Sequence, residues 1–172
     1  MNTNIHFAGK RAAKKVIRLD IRQGHLSQYT GPNQPRREFD YAEGQLEGIS
    51  VRPRETPNGE INFLDLHFDN NGTKFIISSI ACSSVSADLT SRLANIKDPK
   101  SMIRIDVWPN GAFTNCAVKE NGEKLSFVPI PKAVKVQNGL KMIIDSSDRD
   151  TAVLRLVDEL NSRLGYDGKQ PL

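Results

Sequence analysis

The sequence predicts a mainly β protein. Five antiparallel strands, with a short helix between the third and fourth, are followed by an extra hairpin and a C-terminal amphipathic helix. Three observations carry this reading. Five of the twelve glycines follow an asparagine, at Asn58-Gly59, Asn71-Gly72, Asn110-Gly111, Asn121-Gly122 and Asn138-Gly139. Both residues tolerate the positive φ of a primed two-residue turn, so Asn-Gly between apolar runs is the strongest short-range hairpin signal a sequence carries. Apolar residues between those turns recur at period two, and at two places the period becomes helical.

The elements follow in order. Residues 1–38 read as a basic N-terminal arm and linker. Within it Ile17, Leu19 and Ile21 alternate as in a strand, while Lys10, Lys14, Arg18 and Arg22 would share one face of a helix; the alternation favours the strand. Residues 24–38, with Gly31-Pro32 and Gln34-Pro35, have linker composition. The body, residues 39–145, opens with a long strand over about 41–54, in which the apolar phase changes between Leu46 and Ile49. A phase change beside Gly48 predicts a bulge that bends the strand. Strands over 60–68 and 74–81 follow. Val85, Leu89, Leu93 and Ile96 then recur at helical spacing behind Ser84 or Ser86 as N-cap, predicting a helix over 86–96 that Pro99 stops. Strands over 102–108 and 112–119 complete five, and Val134–Val136 meets Leu140–Ile144 as an extra hairpin. In the C-terminal helix, residues 146–165, Ser147 and Asp150 form a capping pattern. Val153, Leu156, Val157, Leu160 and Leu164 form its stripe, and Gly165 is a natural stop. Residues 166–172 read as a loose tail.

The chain has 172 residues, 38% hydrophobic and 26% charged, a composition of soluble globular proteins. No run reaches the ~20 apolar residues that span a bilayer, and no signal peptide is recognisable, so a cytoplasmic protein without membrane partners is expected. Cys82 and Cys116 have no metal-ligand spacing and read as reduced, buried thiols, with a disulfide as the lesser alternative. Net charge is +4 and uneven. Residues 1–40 hold eight Lys/Arg against three acids, a balance of +5, whereas residues 41–172 balance at −1. Such an arm, including Lys14 and Lys15, suits a polyanion partner through counterion release, or is simply a solvated tail.

From Tyr41-Ala-Glu-Gly44 through Asn115-Cys-Ala-Val118, the order of a long bent strand, two strands, a helix and a hairpin resembles an OB-fold single-stranded DNA-binding protein of phage or mobile-element type. The resemblance covers roughly residues 40–120 and rests on element order. It implies a five-stranded Greek-key barrel that binds oligonucleotides on the face of strands 2–3 and on two hairpin loops. Bacterial members carry an acidic C-terminal tail that recruits replication proteins, and Gly165–Leu172 does not match it.

Single strands are held by aromatic faces for bases and cations for phosphates. Strand alternation turns Phe63, Asp65 and His67 outward, opposite Leu64, Leu66 and Phe68. It likewise exposes Arg104, Asp106 and Trp108, and Phe113, Asn115, Ala117 and Lys119. Trp108, Phe113 and Phe63 are therefore the candidate stacking residues, with Arg52, Arg54, Arg104 and Lys119 as phosphate contacts and Asp65 as an opposing charge. The same aromatics could instead be covered by the terminal segments. Nucleotide-binding glycine motifs, the Gly-x-Ser-x-Gly elbow and paired histidines are all absent, so no enzyme activity, metal or cofactor is expected. The expected function is sequence-tolerant binding of single-stranded DNA in replication, recombination or repair. The alternative is a non-enzymatic interaction or virion-assembly module. In either case the C-terminal helix would close its own barrel, or dock a second copy or a replication or assembly protein.

Overall fold

A computed structural model describes residues 15–168. The strands are β1 (Ile17–Arg22), β2 (His25–Gln28), β3 (Arg37–Phe39), β4 (Tyr41–Thr56), β5 (Gly59–Asn70) and β6 (Thr73–Ile80), then, after helix α1 (Ser84–Leu93), β7 (Met102–Asn110), β8 (Phe113–Glu120), β9 (Glu123–Lys124), β10 (Val134–Asn138) and β11 (Lys141–Asp145). Helix α2 (Ser147–Leu164) follows. Each of the five Asn-Gly pairs lies at a hairpin turn, and its glycine has positive φ, from +60° at Gly111 to +102° at Gly59. At Asn71-Gly72 and Asn121-Gly122 the asparagine is left-handed too, the conformation of a type I′ turn.

Nine strands form one sheet in the order β3-β2-β1-β6-β5-β4-β7-β8-β9, and β10 and β11 form a separate ribbon. The hydrogen-bond ladder is open at β3 and β9, so the sheet does not close into the expected five-stranded OB-fold-like barrel. The reason lies in the segment read as an arm. β1 pairs in parallel with β6, Leu19 opposite Ile77, and so takes the free edge of β6. Ile17, Leu19 and Ile21 then join the main core, an apolar gain that a solvated arm would forgo. The stretch read as linker likewise contains β2 and β3, which extend the sheet beyond β1.

The bulge falls where the phase change put it, between Leu46 and Gly48 of β4. It keeps Leu46 and Ile49 both in the core, at 1% exposure. β7 pairs with β4 only as far as Gln45. Beyond that point α2 covers the strand edge: the Ile49 N–H donates to Asn161 Oδ1 and Asn161 Nδ2 donates to the Ile49 carbonyl, both at 2.8 Å. A side-chain amide thus supplies the donor and acceptor that a neighbouring strand would have given. Val153, Leu156, Val157 and Leu160 are buried, so the apolar stripe of α2 is spent on its own domain. The helix ends at left-handed Gly165, φ +70°, and the chain turns the Tyr166 ring onto Gly48, where a Cβ would overlap it. The same ring lies 5.6 Å from that of His67.

Helix starts differ from expectation. α1 is capped by Ser83, whose Oγ accepts from the Ser86 N–H at 3.2 Å, and it ends at Leu93. Ser147 lies inside α2 after Ser146, and its hydroxyl donates to Asp145 Oδ1 at 2.6 Å. Among the described residues no helix is long and apolar enough to cross a membrane.

Candidate nucleic-acid interface

Strand register places Ser50, Arg52 and Arg54 of β4, Phe63, Asp65 and His67 of β5, Ser78 of β6, and Arg18 and Asp20 of β1 on the face of the sheet that points away from the core. Asp65 is the centre of this face, and its side chain is 0% exposed. Arg52 holds its Oδ2 with two nitrogens, Nε at 3.0 Å and Nη2 closer. Arg54 Nη2 donates to Oδ1 at 3.1 Å, Ser78 Oγ donates to Oδ1 at 2.6 Å, and Arg18 Nη1 is 3.6 Å from Oδ2. A second carboxylate extends the cluster: Asp20 accepts from Arg36 Nη2 at 2.7 Å and lies 3.6 Å from Arg54 Nη1. Four guanidinium groups therefore share two carboxylates.

The electrostatics follow from that ratio. Burial alone would raise the pKa of Asp65, but the Ser78 hydroxyl, the Arg52 hydrogen bonds and the charges of Arg54 and Arg52 outweigh it and hold the carboxyl below the ordinary aspartate range. His67, hydrogen-bonded through Nε2 to Ser50 Oγ at 2.8 Å, is kept neutral chiefly by burial. The Asp65 charge works against this, and Arg52 and Arg18 add to it. The sequence reading took Asp65 as a charge that would repel phosphate. Fully covered by guanidinium groups, it instead fixes them in place and leaves a positive excess at the surface. Phe63 lies beside this excess with the Arg54 guanidinium 4.5 Å from its ring centre, and Arg36 is 5.9 Å from the Tyr29 ring.

Arg104 and Lys119 gather elsewhere, where β7, β8 and the start of β4 meet. Arg104 donates twice to Asp106 Oδ1, at 2.9 and 2.8 Å, and Lys119 Nζ is 3.2 Å from Oδ2. The Arg104 guanidinium stacks 3.8 Å from the Tyr41 ring, and Glu43 is its cross-strand neighbour. Burial works to raise the Asp106 pKa, and hydrogen bonds from Arg104 and Lys119 bring it below the usual value. Two cations here meet two carboxylates.

Trp108 is 41% exposed on β7 and Phe113 is 73% exposed on β8, on either side of the hairpin tip. Among the described residues no terminal segment buries either ring. The tip is not isolated, because Gly24, between β1 and β2, lies against Pro109 with φ +80°, and a Cβ there would overlap the proline. The turn after Arg22 thus touches the hairpin that carries Trp108. No ring contact joins Trp108, Phe113 and Phe63 among the described residues.

Of the residues singled out by sequence, the structure brings Arg52, Arg54 and Phe63 together, pairs Arg104 with Lys119 in a balanced cluster, and leaves Trp108 and Phe113 at a third location. Lys15 is exposed ahead of β1, and Lys14 lies outside the described residues. Arg18, Asp20, Arg36 and Ser78 were missed. Arg18 had a usable signal, since it alternates with Ile17 and Leu19. Arg36 had none, because linker composition concealed β3. Cys116 is buried, and its Sγ donates to Asp88 Oδ2 at 3.0 Å. Burial and the Asp88 charge push that thiol far above its usual pKa, which removes it as a nucleophile. Cys82 is free, as expected, but exposed rather than buried, because it falls in the turn ahead of α1. Among the described residues no three His, Cys, Asp or Glu side chains are grouped to hold a metal ion.

Comparison with protein-family models, with curated proteins and with solved structures gives no match to this chain.

Proposed function

We propose that this protein binds single-stranded DNA with little sequence preference, using the arginine face of β1, β4 and β5 for phosphates and the aromatic side chains beside it for bases. The observation that carries this reading is the four-to-two ratio of guanidinium groups to carboxylates around Asp65 and Asp20. Guanidinium groups held by a buried acid have lost their rotamer freedom before a ligand arrives, so less entropy is lost on binding phosphate. The central strand order β6-β5-β4-β7-β8, with α1 between β6 and β7, supports an OB-fold-like origin, opened where β1 has taken the edge of β6. The contact between Gly24 and Pro109 sets the turn after Arg22 against the β7–β8 hairpin that carries Trp108.

A second reading, an interaction or assembly module, draws on the ribbon β10–β11, whose apolar side chains stand in solvent. The two separate on one titration. A labelled poly-dT oligonucleotide is followed by anisotropy, with Trp108 emission as a second signal, at low and moderate salt. Saturable binding is expected, with log K falling by about 0.7 per phosphate neutralised for each decade of salt. Arg18→Ala removes the most exposed guanidinium on Asp65 and should weaken binding by about three- to tenfold, that is up to about 1.4 kcal/mol. Arg104→Ala, in the balanced cluster, should change it by less than about twofold. Binding that ignores salt, or equal losses in both variants, would overturn the assignment to this face.

A further inference from the structure

Among the described residues the longest run of exposed apolar side chains is not on the C-terminal helix, where Leu154 is the one large apolar residue exposed. It is on the ribbon β10–β11, where Val136 faces Ile143 on one side and Met142 and Ile144 occupy the other. Leu140, at the tip, is 103% exposed. Among the described residues the two strands pair only with each other, and an isolated two-stranded hairpin is marginal in water without an apolar face to rest on.

A complementary site exists on the same chain. Towards the β4–β5 turn, the core-side face of these strands meets the first turns of α2. There Val51, Ile61, Leu64, Val153 and Leu154 help to line a cavity of about 430 Å³. Its strand side is acidic. Glu60 borders it, directly opposite Glu55 across the β4–β5 hairpin, while Asp150 on the helix side is paired with Arg149 at 3.4 Å. Like charges directly opposite one another destabilise a strand pair, and among the described residues neither Glu55 nor Glu60 has an ion-pair partner. The ribbon carries the matching sign, with Lys141 next to Leu140 and Lys135 beside Ile144.

We propose that the occupant of this cavity is the β10–β11 ribbon of a second copy of the chain, with Leu140 seated among Val51, Leu64 and Leu154, and Lys141 and Lys135 answering Glu55 and Glu60. Because each chain offers both the ribbon and the cavity, exchange can be reciprocal and closes as a two-fold dimer. The dimer does not depend on what the arginine face binds.

The test is the mass of the full-length protein in solution by light scattering after size exclusion, from low to high micromolar concentration. The wild type is expected to reach the mass of a dimer. Leu140→Asp, at a fully exposed turn position that makes no demand on folding, and Leu154→Arg, on the exposed rim of the cavity, should each weaken dimerisation at least tenfold. An equimolar mixture of the two retains one intact ribbon and one intact cavity, and should recover part of the dimer. A wild type that stays monomeric throughout overturns the proposal. So does a dimer lost in Leu140→Asp but untouched in Leu154→Arg, which would mean ribbon-to-ribbon pairing, or a dimer unaffected by both.

Discussion

Two carboxylates on the outer face of the same sheet organise cations in different ways. Asp65 is wholly covered and shared by three arginines, with Asp20 adding a fourth. Asp106 is partly open and shared by Arg104 and Lys119, with Glu43 nearby to cancel the remaining charge. Counted by residue type along the strands, both regions look basic. Counted by these pairings, the first sets four guanidinium groups on two carboxylates and the second two cations beside two carboxylates. The number of cations on a face thus says little about polyanion binding until the acids that consume them are located, and a buried acid can gather cations rather than cancel them.

The comparison is most exposed to substitution of the two acids. Asp65→Asn leaves the guanidinium groups of Arg18, Arg52 and Arg54 without their shared carboxylate, with Asp20 beside Arg54 as the nearest remaining one. It should cost about 2–4 kcal/mol in urea unfolding, towards the lower end because the arginines can turn to water. Asp106→Asn loosens a half-open pair and should cost about 1 kcal/mol or less. Equal losses would mean that burial of Asp65 confers no special role.

The two regions meet at the Gly24–Pro109 contact. Gly24→Ala places a methyl group into the proline at a left-handed φ, and should destabilise by about 1–3 kcal/mol and shift Trp108 emission. Gly111→Ala is strained only through its backbone, because nothing lies near its missing Cβ, and should cost less. Equal costs would separate the two regions mechanically.

The smallest effect is on pH dependence. Asp65 and Asp106 have pKa values below the ordinary one of 3.8, so their stabilisation is complete above about pH 4 and is lost as pH falls through the folded values. His67 is depressed below 6.5 by burial, so its contribution is complete above about pH 6.5 and is lost progressively below it. Melting temperature should therefore decline from neutral pH downward in two stages. His67→Gln, which can keep a hydrogen bond to Ser50, should flatten the first stage, and Asp65→Asn the second. A wild-type curve that is flat from pH 7 to about 4 would contradict the buried neutral imidazole.

Local chemistry made much of this fold readable from the residues. Asn-Gly turns demand positive φ, so all five hairpins could be placed. A phase change at a glycine located the bulge at Gly48, and Gly165 stopped α2 because few other residues enter the left-handed region without strain. Strand alternation also turned Phe63 outward, whereas Arg52 and Arg54, expected in the loop between the first two strands, lie within β4 on the same face. Such signals reach a few residues along the chain and carry no information about which strand lies next to which. The parallel pairing of β1 with β6 joins segments more than fifty residues apart, and it opened the expected barrel while turning an apparent arm into part of the core. The same limit hid the arginine cluster. Arg18, Arg36, Arg52 and Arg54 come from distant parts of the chain, and only the folded sheet sets them around Asp65 and Asp20, because the burial of Asp65 and its closeness to Asp20 are properties of the assembled strands.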